Sequence, residues 1–111
     1  MSPPKFNDWG LEEPVQKAIA ELGWEEPTEI QLEAIPVARQ GRDVVGQART
    51  GSGKTAAFGI PIIEANEPLG KTQSLILCPT RELAVQVAEE MGALQGKKGL
   101  KIETVYGGTD L

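Results

Sequence analysis

The sequence predicts an α/β fold, a parallel sheet with flanking helices, and three observations carry that expectation. Short apolar runs suited to strands alternate with segments of helical period along the chain. One of those runs, Ser74-Leu75-Ile76-Leu77-Cys78, is continuously apolar in the manner of a parallel strand buried on both faces. A glycine-bearing loop, Ala48-Arg49-Thr50-Gly51-Ser52-Gly53-Lys54-Thr55, sits between a strand-like run and a helix-like one. Ligands of such folds bind beyond the carboxyl ends of the strands. That loop, Pro79-Thr80-Arg81 and Gly107-Gly108 all fall at such ends.

The elements follow in order. After an extended start, Leu11 to Leu22 reads as a helix with Leu11, Val15, Ala18 or Ile19, and Leu22 on one face, and Gly23 ends it. A second helix begins after Pro27 with Thr28 as N-cap. Gly41-Arg42-Asp43 turns into a strand, Val44 to Gln47. The helix after the glycine-bearing loop runs into the sixties, with Pro61 expected to kink it or end it early. Ser74–Cys78 is the next strand. Pro79-Thr80 opens a third helix with Leu83, Ala84, Val87, Ala88 and Met91 facing inward, and Lys101 to Tyr106 forms a further strand. Right-handed strand–helix–strand crossovers then give a parallel sheet.

The loop has the chemistry of a phosphate cradle. Gly51 and Gly53 lack Cβ atoms, so the backbone can turn sharply and aim several N–H groups at one anion. Those amides open a helix, whose N-terminal dipole favours negative charge. Lys54 would reach the β- and γ-phosphates, and the Thr55 hydroxyl would ligate Mg²⁺. Ala48 stands where the strict pattern has glycine.

Composition narrows the class. The chain has 111 residues, 40% hydrophobic and 24% charged, which fits one soluble globular domain. Its longest apolar stretch, Ala56 to Ile63, is too short to span a membrane. One cysteine and no histidine leave no internal disulfide and argue against a zinc site; the cytoplasm is the expected location. Residues 1–33 carry eight acids and two bases, net −6, and residues 34–111 carry eight acids and nine bases, net +1. That balance argues against tight nonspecific nucleic-acid binding but allows a local site that includes Arg49, Lys54, Lys71 and Arg81. Lys97, Lys98 and Lys101 read as a solvated loop.

Several segments have two readings. Thr28 and Gln31 are spaced as a capping box. The Gln31 carboxamide also presents a donor and an acceptor together, which matches the N6 amino group and N7 of adenine and mismatches guanine. Thr80 is a helix N-cap, or else it and the helix-start amides meet a nucleic-acid phosphate, with Arg81 nearby or paired to an internal acid. Gly107-Gly108 is a turn, or a point of close backbone approach to a ligand. Cys78 reads as a small core residue, and Trp9 and Trp24 as packing residues.

Together these residues resemble the first domain of DEAD-box RNA helicases. Gly23-Trp24-x-x-Pro27-Thr28-x-Ile30-Gln31, the loop Ala48–Thr55, Pro79–Ala84 and Gly107-Gly108 occur in that family's order and spacing. Phe6, seventeen positions before Gly23, matches its isolated upstream aromatic. Trp24 stands where phenylalanine is more usual. The resemblance implies a RecA-like P-loop domain, with residues 1–40 as a helical adenine-recognition region and 41–111 as the first part of the ATP-binding domain. It implies ATP or ADP with Mg²⁺ as ligands, Gln31 selecting adenine, and Phe6, Trp24 and Thr28 lying near the base. Ala48, Arg49, Thr50, Gly51, Ser52, Gly53, Lys54 and Thr55 would hold the phosphates, with Lys54 and Thr55 catalytic. Pro79, Thr80, Arg81, Gly107 and Gly108 would face RNA.

The family's Asp-Glu-Ala-Asp and Ser-Ala-Thr segments do not occur in these 111 residues. The chain by itself is therefore expected neither to hydrolyse ATP at a useful rate nor to unwind RNA. Without the strand that carries the acidic motif, Val44–Gln47 and Ser74–Cys78 are expected to lack a partner, giving a truncated sheet prone to self-association. Two other readings stand behind this one. The first is a non-catalytic adenine-nucleotide binding or interaction module, separated by turnover. The second is a different P-loop NTPase, which explains only the loop.

Overall fold

Four helices and one 3-10 turn build the core of the computed structural model, which describes residues 5–47 and 53–105. Ala48 to Ser52 of the phosphate loop and the Gly107-Gly108 doublet lie outside the described residues. The expected extended start is instead a 3-10 turn, Phe6–Trp9, closed by Lys5 N donating to Asp8 Oδ2 at 2.8 Å. Helix α1 is Glu13–Glu21, α2 Glu29–Arg39, α3 Lys54–Ala65 and α4 Arg81–Gln95.

Three of the four helices start at recognisable sequence signals. Pro14 supplies a preset φ in the first turn of α1. Thr28 and Gln31 form the expected capping box at α2, and Thr80 Oγ1 accepts from Leu83 N at 3.1 Å to open α4. Helix α3 continues through Pro61 to Ala65, so the proline does not end it early. It is buried on nearly every side, with Ala56, Ala57, Gly59, Ile60, Pro61 and Ile63 all inaccessible, and α2 and α4 both pack on it. Tertiary burial holds this helix where local propensity alone would interrupt it. Its end is closed by Asn66, whose Nδ2 donates to Ile62 O at 2.6 Å and to Ser74 Oγ at 2.8 Å.

The core joins Leu11, Val15 and Ile19, Ile35 of α2, Ala56, Ile60 and Ile63 of α3, and Val87, Met91 and Leu94 of α4. Val15, Ile35, Ile60, Ile63 and Leu94 are fully buried, each worth about 1.5–3 kcal/mol relative to exposure. Gly59 faces Met91 and Leu94 of α4, where an added Cβ would make ordinary van der Waals contact. Two expected inward residues face out instead: Leu22 caps the end of α1 and Leu83 lies in the first turn of α4, beyond the packed stretch.

The parallel sheet is where expectation and structure part. No strand occurs among the described residues: 42–47, 72–78 and 100–105 carry no regular secondary structure. The physical reason is pairing. Among the described residues, no backbone hydrogen bond links these segments to one another, and a strand without a ladder is only extended chain. The period of two survives nevertheless. Leu75 and Leu77 are 80% and 85% exposed, whereas Ile76 and Cys78 pack on the helical core, as do Leu100 and Ile102. Helices therefore cover one face of 75–78, and the other face, expected to be buried, is open.

Candidate nucleotide site

The site begins at a side chain that joins two helices. Gln31, in the first turn of α2, is only 2% exposed. Its Oε1 accepts from Thr28 N at 2.9 Å and its Nε2 donates to Gly53 O at 3.0 Å. Gly53 is the N-cap of α3 and holds a left-handed φ of 84°. Only glycine suits this position on two counts. Its φ penalises L side chains, and a Cβ there would fall 2.4 Å from Gln31 Nε2 and 2.9 Å from Thr28 Oγ1.

Lys54 and Thr55 are the first two residues of α3, immediately after that N-cap. The 12-residue helix thus presents its positive dipole end at the place where the expected phosphate loop delivers Gly53. Lys54 is exposed and Thr55 half-buried. The Thr28–Gln31 box thereby touches the expected phosphate loop at Gly53, directly before Lys54 and Thr55.

The aromatic residues form a cluster around Phe6. Its ring meets Trp9 edge-on with centroids 5.7 Å apart, and Trp24 at a tilt with centroids 6.1 Å apart. Phe6 N also donates to Glu25 O at 3.4 Å, tying the N-terminal segment to the Gly23–Pro27 connection. Phe6 itself is buried, whereas Trp24 keeps an exposed edge. A groove of about 300 Å³ opens beside them, lined in part by Lys5, Asn7, Gln16, Trp24 and Glu25.

At the expected RNA-facing segment, Pro79, Thr80 and Arg81 are all exposed at the start of α4. Thr80 uses its hydroxyl oxygen to cap the helix, so the capping reading of that residue holds. Cys78 is half-buried against the core. Among the described residues, no cluster of three or more metal-binding side chains occurs, and no helix is long and apolar enough to cross a membrane.

A second polar constellation lies at the opposite end of α3. Arg39 Nε sits 2.8 Å from Glu64 Oε1, an ion pair off the axis of a linear hydrogen bond, and Arg39 Nη1 donates to Trp9 O at 2.6 Å. Glu64 Oε2 accepts from Glu12 N at 3.0 Å. Lys98 Nζ pairs with Glu12 Oε1 at 2.6 Å and donates to Ile63 O at 2.6 Å and Glu64 O at 3.3 Å. Its side chain is 7% exposed, so the expectation of a solvated lysine loop fails at Lys98. The carbonyls that end α3 attract the cation inward. Nothing local in the sequence marks these residues, because their partners stand 25 to 86 positions away.

Comparison with solved structures sets the class. A DEAD box protein from the hyperthermophile Methanococcus jannaschii superposes with a TM-score of 0.90 at 47% identity, covering 96% of this chain and 30% of that one. The RNA helicase Prp28 from Chaetomium thermophilum, solved bound to ADP, gives 0.82 at 37% identity over 99% of this chain and 28% of that one. The path of the chain is thus that of part of a RecA-like helicase domain, even though its sheet ladder is absent among the described residues.

The chain belongs to the DEAD/DEAH box helicase family, whose pattern matches residues 28–111. Among curated relatives, the ATP-dependent RNA helicase CshA of Listeria monocytogenes is 46% identical over 108 residues, 96% of this chain and 21% of its own length. The DEAD-box ATP-dependent RNA helicase CshA of Geobacillus kaustophilus is 49% identical over 107 residues, 96% of this chain and 23% of its own. This chain spans about a fifth of those relatives' lengths.

Proposed function

We propose that this chain is the adenine-nucleotide-binding, RNA-facing part of an ATP-dependent RNA helicase. One observation carries the reading: the Gln31 carboxamide is bonded to the N-cap carbonyl of the helix that begins Lys54-Thr55. A base-reading group and a phosphate-holding helix end are so linked that one nucleotide can engage both. The names of the relatives and the ADP bound to the Prp28 neighbour support the same ligand class.

The residues fit that ligand. A carboxamide has two N–H donors and two acceptor lone pairs, and Gln31 uses one of each within the protein. The remaining N–H and lone pair are the complement of adenine N7 and N6. Because Gln31 is almost inaccessible, base recognition requires its covering groups to move aside. Trp24, with its exposed edge, and Phe6 behind it flank the base; Thr28 fixes the Gln31 rotamer through the capping box. Ala48 to Ser52 complete the cradle with Gly53, Lys54 places its charge at the β- and γ-phosphates, and Thr55 offers its hydroxyl to Mg²⁺. The bound metal supplies neutralisation of charge on the phosphate oxygens.

Residues 1–40 serve base recognition and 41–111 phosphate and RNA contacts, in the cytoplasm. The exposed start of α4, Pro79-Thr80-Arg81, and Gly107-Gly108 meet the RNA backbone, where helix-start amides suit phosphate oxygens. This 111-residue chain assayed alone binds nucleotide without appreciable turnover, since it contains no Asp-Glu-Ala-Asp run to position an attacking water. Its open extended segments make it self-associate.

The test is calorimetric titration with Mg²⁺ plus ADP or GDP, on the wild type and Gln31→Ala. ADP binding that exceeds GDP binding at least tenfold, and loses that preference in Gln31→Ala, is the expected result. Equal affinity for the two nucleotides would remove the adenine assignment. Turnover of ATP at rates typical of whole helicases, abolished by Lys54→Ala, would overturn the expectation of binding without hydrolysis.

A further inference from the structure

We infer that Arg39, Glu64, Glu12 and Lys98 act as a positioning assembly, which holds the aromatic segment Phe6–Trp9 in register with α3 and so sets base affinity from the far end of that helix. The inference rests on the adenine reading above but concerns residues that never touch the nucleotide.

The geometry is a closed chain of contacts. Helix α3 begins with Lys54 at the phosphate end and reaches Glu64 in its last turn, about 15 Å away at 1.5 Å per residue. At its beginning, Gln31 of α2 bonds the N-cap carbonyl; at its end, Arg39, the last residue of α2, pairs with Glu64. Two parallel helices are therefore tied at both ends. The guanidinium then extends the tie outward, donating to Trp9 O, and Trp9 packs edge-on against Phe6. Arginine suits this task because its delocalised charge can pair with Glu64 while a separate N–H of the same planar group donates to Trp9 O, which a single ammonium is less able to do.

The second half of the assembly locks Glu64 itself. Its other oxygen accepts from Glu12 N, so the carboxylate is oriented by the start of α1 as well as by α2. Lys98 bridges Glu12 to the carbonyls of Ile63 and Glu64, and is buried in doing so. A buried ammonium with three acceptors is satisfied only if α1 and the end of α3 keep their spacing. Displacement of the Trp9 backbone breaks the Arg39 bond, and displacement of α3 breaks the Glu64 and Lys98 contacts. The base end and the phosphate end are thus held as one body.

The experiment compares the base and phosphate shares of affinity. Wild type, Arg39→Met and Arg39→Lys are titrated with ADP, GDP and inorganic pyrophosphate in Mg²⁺, each well below its own melting midpoint. Arg39→Met is expected to weaken ADP on the order of tenfold, as one charge-assisted contact allows, and to leave pyrophosphate within about twofold. Arg39→Lys, which keeps the charge but not the fork, is expected to fall between. In a Trp24→Phe background, Trp9 emission should shift to the red in Arg39→Met, a signal independent of nucleotide and available whether or not that variant binds. Equal losses for ADP and pyrophosphate, or an unmoved ADP affinity with unchanged Trp9 emission, overturn the positioning role. A wild type that binds ADP and GDP alike removes the adenine reading and this inference with it; a wild-type ADP affinity retained in Arg39→Met removes the inference alone.

Discussion

Gln31 Nε2 donates to the Gly53 carbonyl at 3.0 Å, across 22 positions of sequence. A residue whose spacing marks it as a helix cap is therefore also a brace between helices. Two other glutamines behave alike. Gln73 pairs with both backbone groups of Glu67, at 3.0 and 2.6 Å, and Gln95 with both backbone groups of Leu100, at 2.7 and 2.9 Å. In each case a side-chain amide satisfies backbone groups at a helix end or in a connection, where no regular ladder reaches them.

Replacing Gln31 tests the brace apart from any ligand. Gln31→Ala removes the side-chain partner of the Thr28 amide and one of the two donors to the Gly53 carbonyl, which keeps Ala57 N, so each lost bond is worth about 0.5–1.5 kcal/mol. Gln31→Glu keeps the acceptor for Thr28 N but sets a carboxylate against the Gly53 carbonyl, so it should be no more stable than the alanine variant. Urea melts of the three proteins measure both. A Gln31→Glu variant as stable as wild type would show that the Gly53 bond contributes nothing.

Gly53→Ala should be worse than its single methyl suggests. A φ of 84° costs an L residue about 1–2 kcal/mol, and the new Cβ, 2.4 Å from Gln31 Nε2, must expel the amide. The expected outcome is a lowered melting midpoint together with loss of any nucleotide-induced shift. Retention of that shift would mean that the helix start tolerates a residue the geometry excludes.

Lys98→Met removes a cation that serves one carboxylate and two helix-end carbonyls. Hydrogen bonds to charged groups contribute about 1.5–3 kcal/mol, and Glu12, more exposed than Lys98, recovers part of its hydration. Destabilisation within that range is expected by urea melt. Lys97→Met, at an exposed neighbour, should change stability by less than about 0.5 kcal/mol. Equal effects at the two positions would place Lys98 in solvent, as the local sequence implies.

The contrast between those lysines shows what was legible. Helix ends were written locally: Gly23 after α1, the Thr28–Gln31 box, and Thr80 before α4 each act within a few residues. The alternation at Leu75, Ile76, Leu77 and Cys78 was not legible: an unbroken apolar run reads as a strand buried on both faces, and only packing on the helices tells its two faces apart. Pairing is a property of distant segments, and apolar content alone does not supply a partner. Lys98, Glu12, Glu64 and Arg39 were illegible for a related reason: each finds its counter-ion through tertiary packing, and in sequence each looks like an ordinary surface charge.

The open face of the extended segments makes the last prediction. Leu75 and Leu77 point outward on the same side, and Val45 in the preceding extended segment is 96% exposed. Backbone groups of such segments are templates for pairing, and exposed apolar side chains add a driving force of roughly 25 cal/mol per Å² covered. The chain is therefore expected to self-associate as its concentration rises, and Leu75→Lys with Leu77→Lys should return it toward monomer without lowering its melting midpoint. Ile76→Lys, one position away, points into the helical core and should unfold the protein instead. Light scattering coupled to size exclusion, with melts of the same samples, separates the two effects. A wild-type chain that stays monomeric at millimolar concentration would show that these faces attract nothing in their own kind.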